Sequence, residues 1–357
     1  MRARVIGIVM TKNMVFWIIA AALVFIFIGA VTVAAGVGDE GQSPGFSGAV
    51  SWLNAAPLSS RALRGKVVLV NFWTYSCINS LRELPYLKAW AAKYKDAGLV
   101  VIGVHAPEFG FEKDPTNVQN AVSDLSITYP IPIDSNHSIW GAFRNQYWPG
   151  DYLVDAKGRI RYHHFGEGEY EKSERIIQAL LKENGATGLD ENIVHIAAGG
   201  AEAAPSIDVR SPETYVGYAR AENFASPERI ARNSRRIYSP PARPELNRWG
   251  LGGSWNIGAE SGKLESATGK VVFRFHSRDL HMVLGPAKSG TPTRFKVKLN
   301  GVAPGDDHGS DSGADGTGKV RQPRMYQLIR QKGPIKDLTF EIEFLDPGVE
   351  AFSFTFG

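Results

Sequence analysis

The residues with the clearest chemical potential lie in NFWTYSCINS at 71–80, which holds Cys77, the only cysteine among 357 residues. A thiolate is a strong nucleophile towards disulfides and oxidised sulfur, and it is the reactive form of cysteine. One cysteine forms no internal cross-link, so Cys77 is not a structural staple. It is a buried small residue, an intermolecular partner or a reactive thiol.

Two predicted elements position Cys77. The run KVVLVNF at 66–72 is continuously apolar, which is typical of a buried strand, and residues 79–96 carry apolar side chains at helical spacing. Cys77 therefore falls between a strand and the beginning of a helix. The unpaired amides and the positive end of the helix dipole favour a thiolate there, so we expect the pKa of Cys77 to be lowered.

The region 39–184 predicts an α/β domain. Strand patterns occur at 66–72, 99–105, 131–133, 151–155 and 159–165, and helix patterns at 79–96, 115–125 and 170–183. Strands joined by a crossover helix are parallel, whereas the strands of a hairpin are antiparallel. We expect a mixed sheet flanked by helices.

The region 248–357 predicts a second, all-β domain. FKVKL at 295–299, FEIEF at 340–344 and FSFTF at 352–356 alternate strictly, with turn residues between them. This pattern favours an antiparallel β-sandwich of jelly-roll type. The intervening residues 185–247 are rich in Ala, Gly and Pro and are predicted to form a linker.

The amino terminus predicts membrane attachment. Residues 14–37 carry no charge, and about twenty apolar residues are enough to cross a bilayer. Basic residues precede this run and acidic residues follow it, so the positive-inside rule places the folded domains outside the cytoplasm. We expect residues 1–38 to be a single transmembrane signal anchor in the cytoplasmic membrane, with the domains on the periplasmic side. Cleavage before Gly36 is the alternative.

The composition argues against several other classes of ligand. A net charge of +4 without a basic stretch interleaved with aromatics predicts no nucleic-acid partner. His163 and His164 are adjacent in a strand and point to opposite faces, and the aspartate-rich loop 306–318 does not have EF-hand spacing. We therefore predict neither a metal site nor a cofactor.

GKVVLVNFWTYSCINSLRELP at 65–85 resembles the thioredoxin-like (redoxin) domains of the TlpA/ResA group, especially those of DipZ-type proteins. The resemblance extends over about 45–184. The β-sandwich also resembles the carboxyl-terminal module of DipZ-type proteins, whose fold is similar to carbohydrate-binding modules. The multi-span membrane domain of DipZ-type proteins has no counterpart here.

The resemblance implies roles for individual residues. Cys77 is then the exposed nucleophile, Trp73 lines the rim of the site, and Pro149 faces the cysteine in cis. Glu83 matches a carboxylate that takes part in proton transfer. Spacing alone leaves Glu83 equally open as a solvated acid of the helix.

Ser80 departs from the family pattern because it stands where a dithiol protein has its second cysteine. A serine hydroxyl cannot displace a thiolate, so an adduct on Cys77 needs outside help. A low-molecular-weight or protein thiol resolves it, or the substrate is a glutathione-like mixed disulfide, or peroxide oxidises Cys77 to a sulfenic acid.

Three functions follow from these residues. The first is a membrane-anchored, extracytoplasmic monothiol thiol-disulfide oxidoreductase whose partners are envelope protein thiols and disulfides or low-molecular-weight thiols. The second is a one-cysteine thiol peroxidase, because Thr74 precedes Cys77 by three residues and resembles the hydroxyl that assists a peroxidatic cysteine. The third is a non-catalytic binding or scaffold protein.

The β-sandwich could contact a glycan or a protein. Trp249, Trp255 and Tyr326 offer flat aromatic faces that could stack on sugars. The alternative is that these rings fill the core of the sandwich.

Overall fold

The computed structural model describes residues 38–287 and 291–357. The predicted transmembrane helix lies outside these residues. Within the part of the chain that is described, no helix is long and apolar enough to cross a membrane.

The first domain contains a seven-stranded sheet and four α-helices. Its strands are β1 (Gly41–Gln42), β2 (Ser51–Leu53), β3 (Val67–Trp73), β4 (Leu99–His105), β5 (Ile131–Ile133), β6 (Gly150–Val154) and β7 (Arg159–Phe165). Its helices are α1 (Ile78–Lys93), α2 (Pro115–Asp124), α3 (Ser138–Ala142) and α4 (Tyr170–Glu183), with a 3-10 helix at Gly110–Lys113.

The sheet is mixed, in the order β1-β7-β6-β3-β4-β5-β2. The central strand β3 runs parallel to β4 and antiparallel to β6. Every residue of β3 is buried, which explains its continuous apolar run: both faces of the strand are covered. Helix α1 packs Leu84, Leu87 and Trp90 into the core on one side. The predicted thioredoxin-like fold is confirmed.

The second domain is all-β and antiparallel, as predicted. Its strands are β8 (Thr214–Tyr215), β9 (Arg235–Tyr238), β10 (Trp249–Ile257), β11 (Gly262–Leu264), β12 (Gly269–Phe275), β13 (Asp279–Gly285), β14 (Thr293–Leu299), β15 (Thr317–Val320), β16 (Arg324–Arg330), β17 (Leu338–Phe344) and β18 (Glu350–Phe356). Strands β12, β14 and β17 on one side and β13, β16 and β18 on the other contribute buried side chains to one core.

The aromatic residues proposed as a sugar platform lie inside this core. Trp249 and Trp255 are completely buried, and Tyr326 is 1% exposed. A ring without an accessible face cannot stack on a ligand, so the core-packing alternative holds and this platform is excluded.

The second domain extends into the stretch predicted as a linker. Strand β8 pairs with β18, and β9 pairs with β10. Val216 and Tyr238 from this stretch are buried in the second core. Strands β8 and β9 have only two and four residues, which is too few to show an alternating apolar pattern. The sequence therefore predicted a linker where these residues form edge pairings of the second domain.

The two domains share apolar contacts. Phe352 on β18 packs against Phe109 and Phe111 of the first domain, with ring centroids 5.2 and 4.8 Å apart. The buried Arg82 of α1 donates a hydrogen bond of 3.1 Å to the carbonyl oxygen of Phe356. Strand β18 is thereby held against the end of the first domain where α1 begins.

Candidate active site

Cys77 is the N-cap residue of α1 and has an extended backbone. Its side chain is partly exposed, and its thiol donates to the carbonyl oxygen of Trp148 at 3.8 Å. The peptide bond between Trp148 and Pro149 is cis. The structure thus brings together the cysteine and the proline that the resemblance singled out.

The pKa of Cys77 is shifted in the direction opposite to the sequence expectation. Burial raises the pKa of the thiol to about 12, and the charges of Glu108 and Glu213 also raise it. The backbone amide and hydroxyl of Ser80, in the first turn of α1, oppose the rise. The first turn of α1 therefore lowers the pKa of Cys77 as expected, but the desolvation of the thiol raises it by more.

Ser80 itself is 1% exposed and lies under the thiol rather than at the surface. It stands three residues after Cys77, which is the spacing of a Cys-X-X-Cys motif. A hydroxyl does not displace a thiolate, and the sequence contains no cysteine besides Cys77.

Glu83 belongs to a buried polar group and is not a solvated acid. The side-chain amide of Asn71 donates to Glu83 at 2.8 Å and to Asp151 at 2.9 Å. Burial and the neighbouring Asp151 raise the pKa of Glu83 well above its usual value. Two carboxyl groups that share one amide in an apolar interior do not both ionise easily. Glu83 therefore holds its proton to a higher pH than an ordinary glutamate does.

Trp73 does not line the rim of the site, so that expectation is wrong. It is completely buried, and its indole nitrogen donates to the carbonyl oxygen of Gly103 at 3.2 Å. Both faces of β3 are covered, so each side chain of this strand faces a core. Trp148 lies beside Cys77 instead, and its position directly before Pro149 was the signal that sequence reasoning missed.

Thr74 is also completely buried, and its hydroxyl donates to the carboxylate of Glu112. The hydroxyl of Ser76 donates to the same oxygen at 2.6 Å. Burial raises the pKa of Glu112 to about 7, while these hydroxyls lower it. Glu112, from the 3-10 helix, thus holds the loop that precedes Cys77. No sequence motif predicted this role.

A cavity of about 260 Å³ lies in front of Cys77, and both domains line it. Glu108 and Trp148 come from the first domain, and Glu213, Tyr215, Arg220 and Phe356 come from the second. We call this cavity the interdomain cleft. The sequence did not predict its second wall, because Glu213, Tyr215 and Arg220 were assigned to a linker.

Charged groups concentrate in the interdomain cleft. Arg220 forms an ion pair of 2.9 Å with Glu108, and the Tyr215 hydroxyl donates to Glu108 at 2.8 Å. The guanidinium of Arg220 also stacks on the Tyr215 ring at 3.6 Å. Glu213 is an exposed residue of the cleft lining, and partial desolvation of its carboxyl group and the charge of Glu108 raise its pKa to about 7. No metal-binding group of three or more ligands occurs among the described residues.

Both domains match known families. Residues 43–163 match the AhpC/TSA family, and residues 211–357 match the family described as the thioredoxin-like C-terminal domain. The second match begins within the stretch predicted as a linker, in agreement with strands β8 and β9.

Curated relatives cover one or both domains. Protein DipZ of Mycobacterium bovis is 32% identical over 323 residues, which are 89% of this chain and 43% of DipZ. Thiol-disulfide oxidoreductase YkuV of Bacillus subtilis is 30% identical over 140 residues, 39% of this chain and 94% of YkuV. Thiol-disulfide oxidoreductase ResA of Bacillus thuringiensis is 27% identical over 139 residues, 39% of this chain and 76% of ResA. The chain spans less than half the length of DipZ.

The fold and the placement of Cys77 at the beginning of α1 define a protein with a thioredoxin-like domain. Within that class, the chain belongs to the DipZ/TlpA/ResA-like family.

Proposed function

We propose that this protein is a monothiol thiol-disulfide oxidoreductase, in which Cys77 attacks a disulfide and an external thiol completes the exchange. One observation carries the proposal: the sulfur of Cys77 faces the carbonyl before Pro149 in the interdomain cleft, while the buried Ser80 fills the place of a second thiol. Envelope protein thiols and disulfides or low-molecular-weight thiols are the partners.

The reaction consists of two exchanges. The Cys77 thiol first loses its proton, and the thiolate bonds to one sulfur of a disulfide and expels the other half as a thiolate. A second, external thiolate then attacks the adduct, forms a new disulfide with the bound half and releases the Cys77 thiolate. Electrons are conserved across the two steps. Because burial raises the pKa of Cys77, deprotonation is the costly part of the first step.

The proposal is tested by intact mass spectrometry. The protein is incubated with bis(hydroxyethyl) disulfide, and one mercaptoethanol adduct per chain is expected on Cys77 and none on Cys77→Ser. A small thiol should then restore the original mass. An adduct that small thiols cannot remove would contradict monothiol turnover.

We infer that the protein is anchored in the cytoplasmic membrane with its domains on the periplasmic side. The uncharged run at 14–37 and the charges around it support this placement. The test is membrane fractionation of the full chain and of a variant lacking residues 1–37, followed by protease treatment of spheroplasts. Protection of the domains from external protease would overturn the orientation.

The second candidate is a one-cysteine thiol peroxidase. The match of residues 43–163 to the AhpC/TSA family favours it. The contact between Thr74 and Glu112 argues against it, because the hydroxyl that should assist the cysteine is bound elsewhere. Peroxide consumption with a small thiol as reductant separates the candidates. A sulfenic acid on Cys77, trapped by dimedone and formed faster than disulfide exchange, would favour the peroxidase.

A further inference from the structure

The interdomain cleft has the size of a small molecule. Its volume is about 260 Å³, slightly below the range of about 300–1,000 Å³ that holds drug-sized ligands. The second domain forms one wall through Tyr215 and Phe356, opposite Trp148 and Cys77. A small thiol is smaller than such ligands, so the volume of the cleft is sufficient for one.

The charges on these walls do not cancel. Glu108 is 8% exposed and is neutralised by Arg220 at 2.9 Å, a geometry that the hydrogen bond from Tyr215 supports. Glu213 takes part in none of the ion pairs found within residues 38–287 and 291–357. Because its pKa is raised to about 7, Glu213 is ionised above neutral pH and then leaves the cleft with a net negative charge. Glu108 and Glu213 line the same cavity as Cys77, and their charges raise the pKa of its thiol.

We propose that the interdomain cleft binds the external thiol that resolves the Cys77 adduct, and that it selects small thiols carrying an ammonium group. Glu213 is the residue that sets this selectivity. The inference rests on the proposed function of Cys77. The ammonium group lies near the Glu213 carboxylate while the thiolate of the same molecule attacks the adduct.

The step balances within the molecules named. The aminothiol thiolate attacks the substrate-derived sulfur of the adduct, and a new disulfide forms between that sulfur and the aminothiol. The bond to Cys77 breaks, and its electron pair stays on Cys77 as the thiolate, which takes up the proton that the aminothiol lost.

The experiment measures the release of a neutral adduct. Cys77 is loaded with mercaptoethanol, and the second-order rate of release is measured for cysteamine, mercaptoethanol and mercaptopropionate. Each rate is divided by the rate at which the same thiol reduces bis(hydroxyethyl) disulfide in free solution. The normalised rates should fall in the order cationic, neutral, anionic, and the spread should shrink as salt is added.

Variants assign the selectivity to Glu213. Glu213→Gln should reduce the ratio of the cysteamine rate to the mercaptopropionate rate by about 3- to 10-fold. Glu213→Lys should reverse the order. The control is Glu245→Gln, since Glu245 is 84% exposed and does not line the cleft. Its ratio should equal that of the unchanged protein.

The outcomes separate the two proposals. Equal normalised rates for the three thiols, or an order that Glu213→Gln and Glu213→Lys leave unchanged, would overturn the selectivity while release itself upholds the exchange. If the adduct forms but no thiol releases it, the proposed function fails.

Discussion

Tyr215 of the second domain and Glu108 of the first are joined by a hydrogen bond of 2.8 Å at the edge of the cleft that holds Cys77. Arg220 adds an ion pair to the same carboxylate oxygen. The second domain therefore contributes directly to the environment of the nucleophile.

The first prediction concerns this contact. Tyr215→Phe removes the donor to a mostly buried carboxylate, so the free energy of unfolding should fall by about 1–2 kcal/mol in chemical denaturation. Tyr147→Phe is the matched control, because Tyr147 is 53% exposed, and it should leave the stability unchanged. Equal stability of the two variants would show that the Tyr215 hydroxyl does not stabilise the interface.

The second prediction is the pH dependence of Cys77 alkylation. Because burial raises the pKa of the thiol to about 12, the thiolate fraction grows throughout the alkaline range. The rate with iodoacetamide should rise steadily from about pH 7 to about pH 10, without the plateau that a free cysteine of pKa about 8.5 begins to show. An inflection below that value would contradict the account. No reaction at any pH would favour the binding-module hypothesis.

The third prediction follows from the charges near the thiol. Glu108 and Glu213 both raise the pKa of Cys77, so Glu108→Gln and Glu213→Gln should each increase the alkylation rate at fixed pH. A neutral reagent is used so that its own attraction to the cleft does not change. Glu245→Gln again serves as the control. Slower alkylation in either cleft variant would contradict the assigned electrostatics.

The fourth prediction uses the buried pair of Glu83 and Asp151. The raised pKa of Glu83 means that the folded protein holds its proton more tightly than the unfolded chain. This contribution to stability is fully present below the usual value of 4.5 and is lost as the pH rises through the folded-state pKa. Glu83→Gln keeps an uncharged acceptor for Asn71, so its stability relative to the unchanged protein should increase as the pH rises above 4.5.

Thermal or chemical unfolding at several pH values checks this prediction. Glu171→Gln is the control, since Glu171 is an exposed residue of α4. A difference between Glu83→Gln and the unchanged protein that does not vary with pH would mean that Glu83 does not titrate as assigned.

The fifth prediction restores the missing thiol. Ser80 is buried in the first turn of α1, one helical turn from Cys77. In Ser80→Cys, the new thiol should resolve adducts on Cys77 from within the chain, so that mixed disulfides disappear without added thiol and an internal disulfide forms. Mass spectrometry and free-thiol titration follow both products. Adducts that persist in Ser80→Cys would show that the position does not match a resolving cysteine.

The sequence predicted the parts of the fold that depend on local pattern. The buried strand β3 and the strictly alternating β17 follow from apolar periodicity. The pairing of Cys77 with Pro149 was predicted from a resemblance that rests on a short motif. The contacts around these two residues were not predicted, because they join distant parts of the sequence: Glu108 and Tyr215 are 107 residues apart. The predicted direction of the Cys77 pKa shift was wrong for the same reason, because the desolvation of the thiol depends on which distant residues cover it.

The most direct test of the central claim is steady-state kinetics of disulfide reduction with cystamine as substrate and a small thiol as reductant. If Cys77 alone carries the exchange, the reaction follows a ping-pong mechanism, and double-reciprocal plots at several thiol concentrations should be parallel. Cys77→Ser should show only the uncatalysed rate. Intersecting lines, or a Cys77→Ser variant as fast as the unchanged protein, would contradict the account.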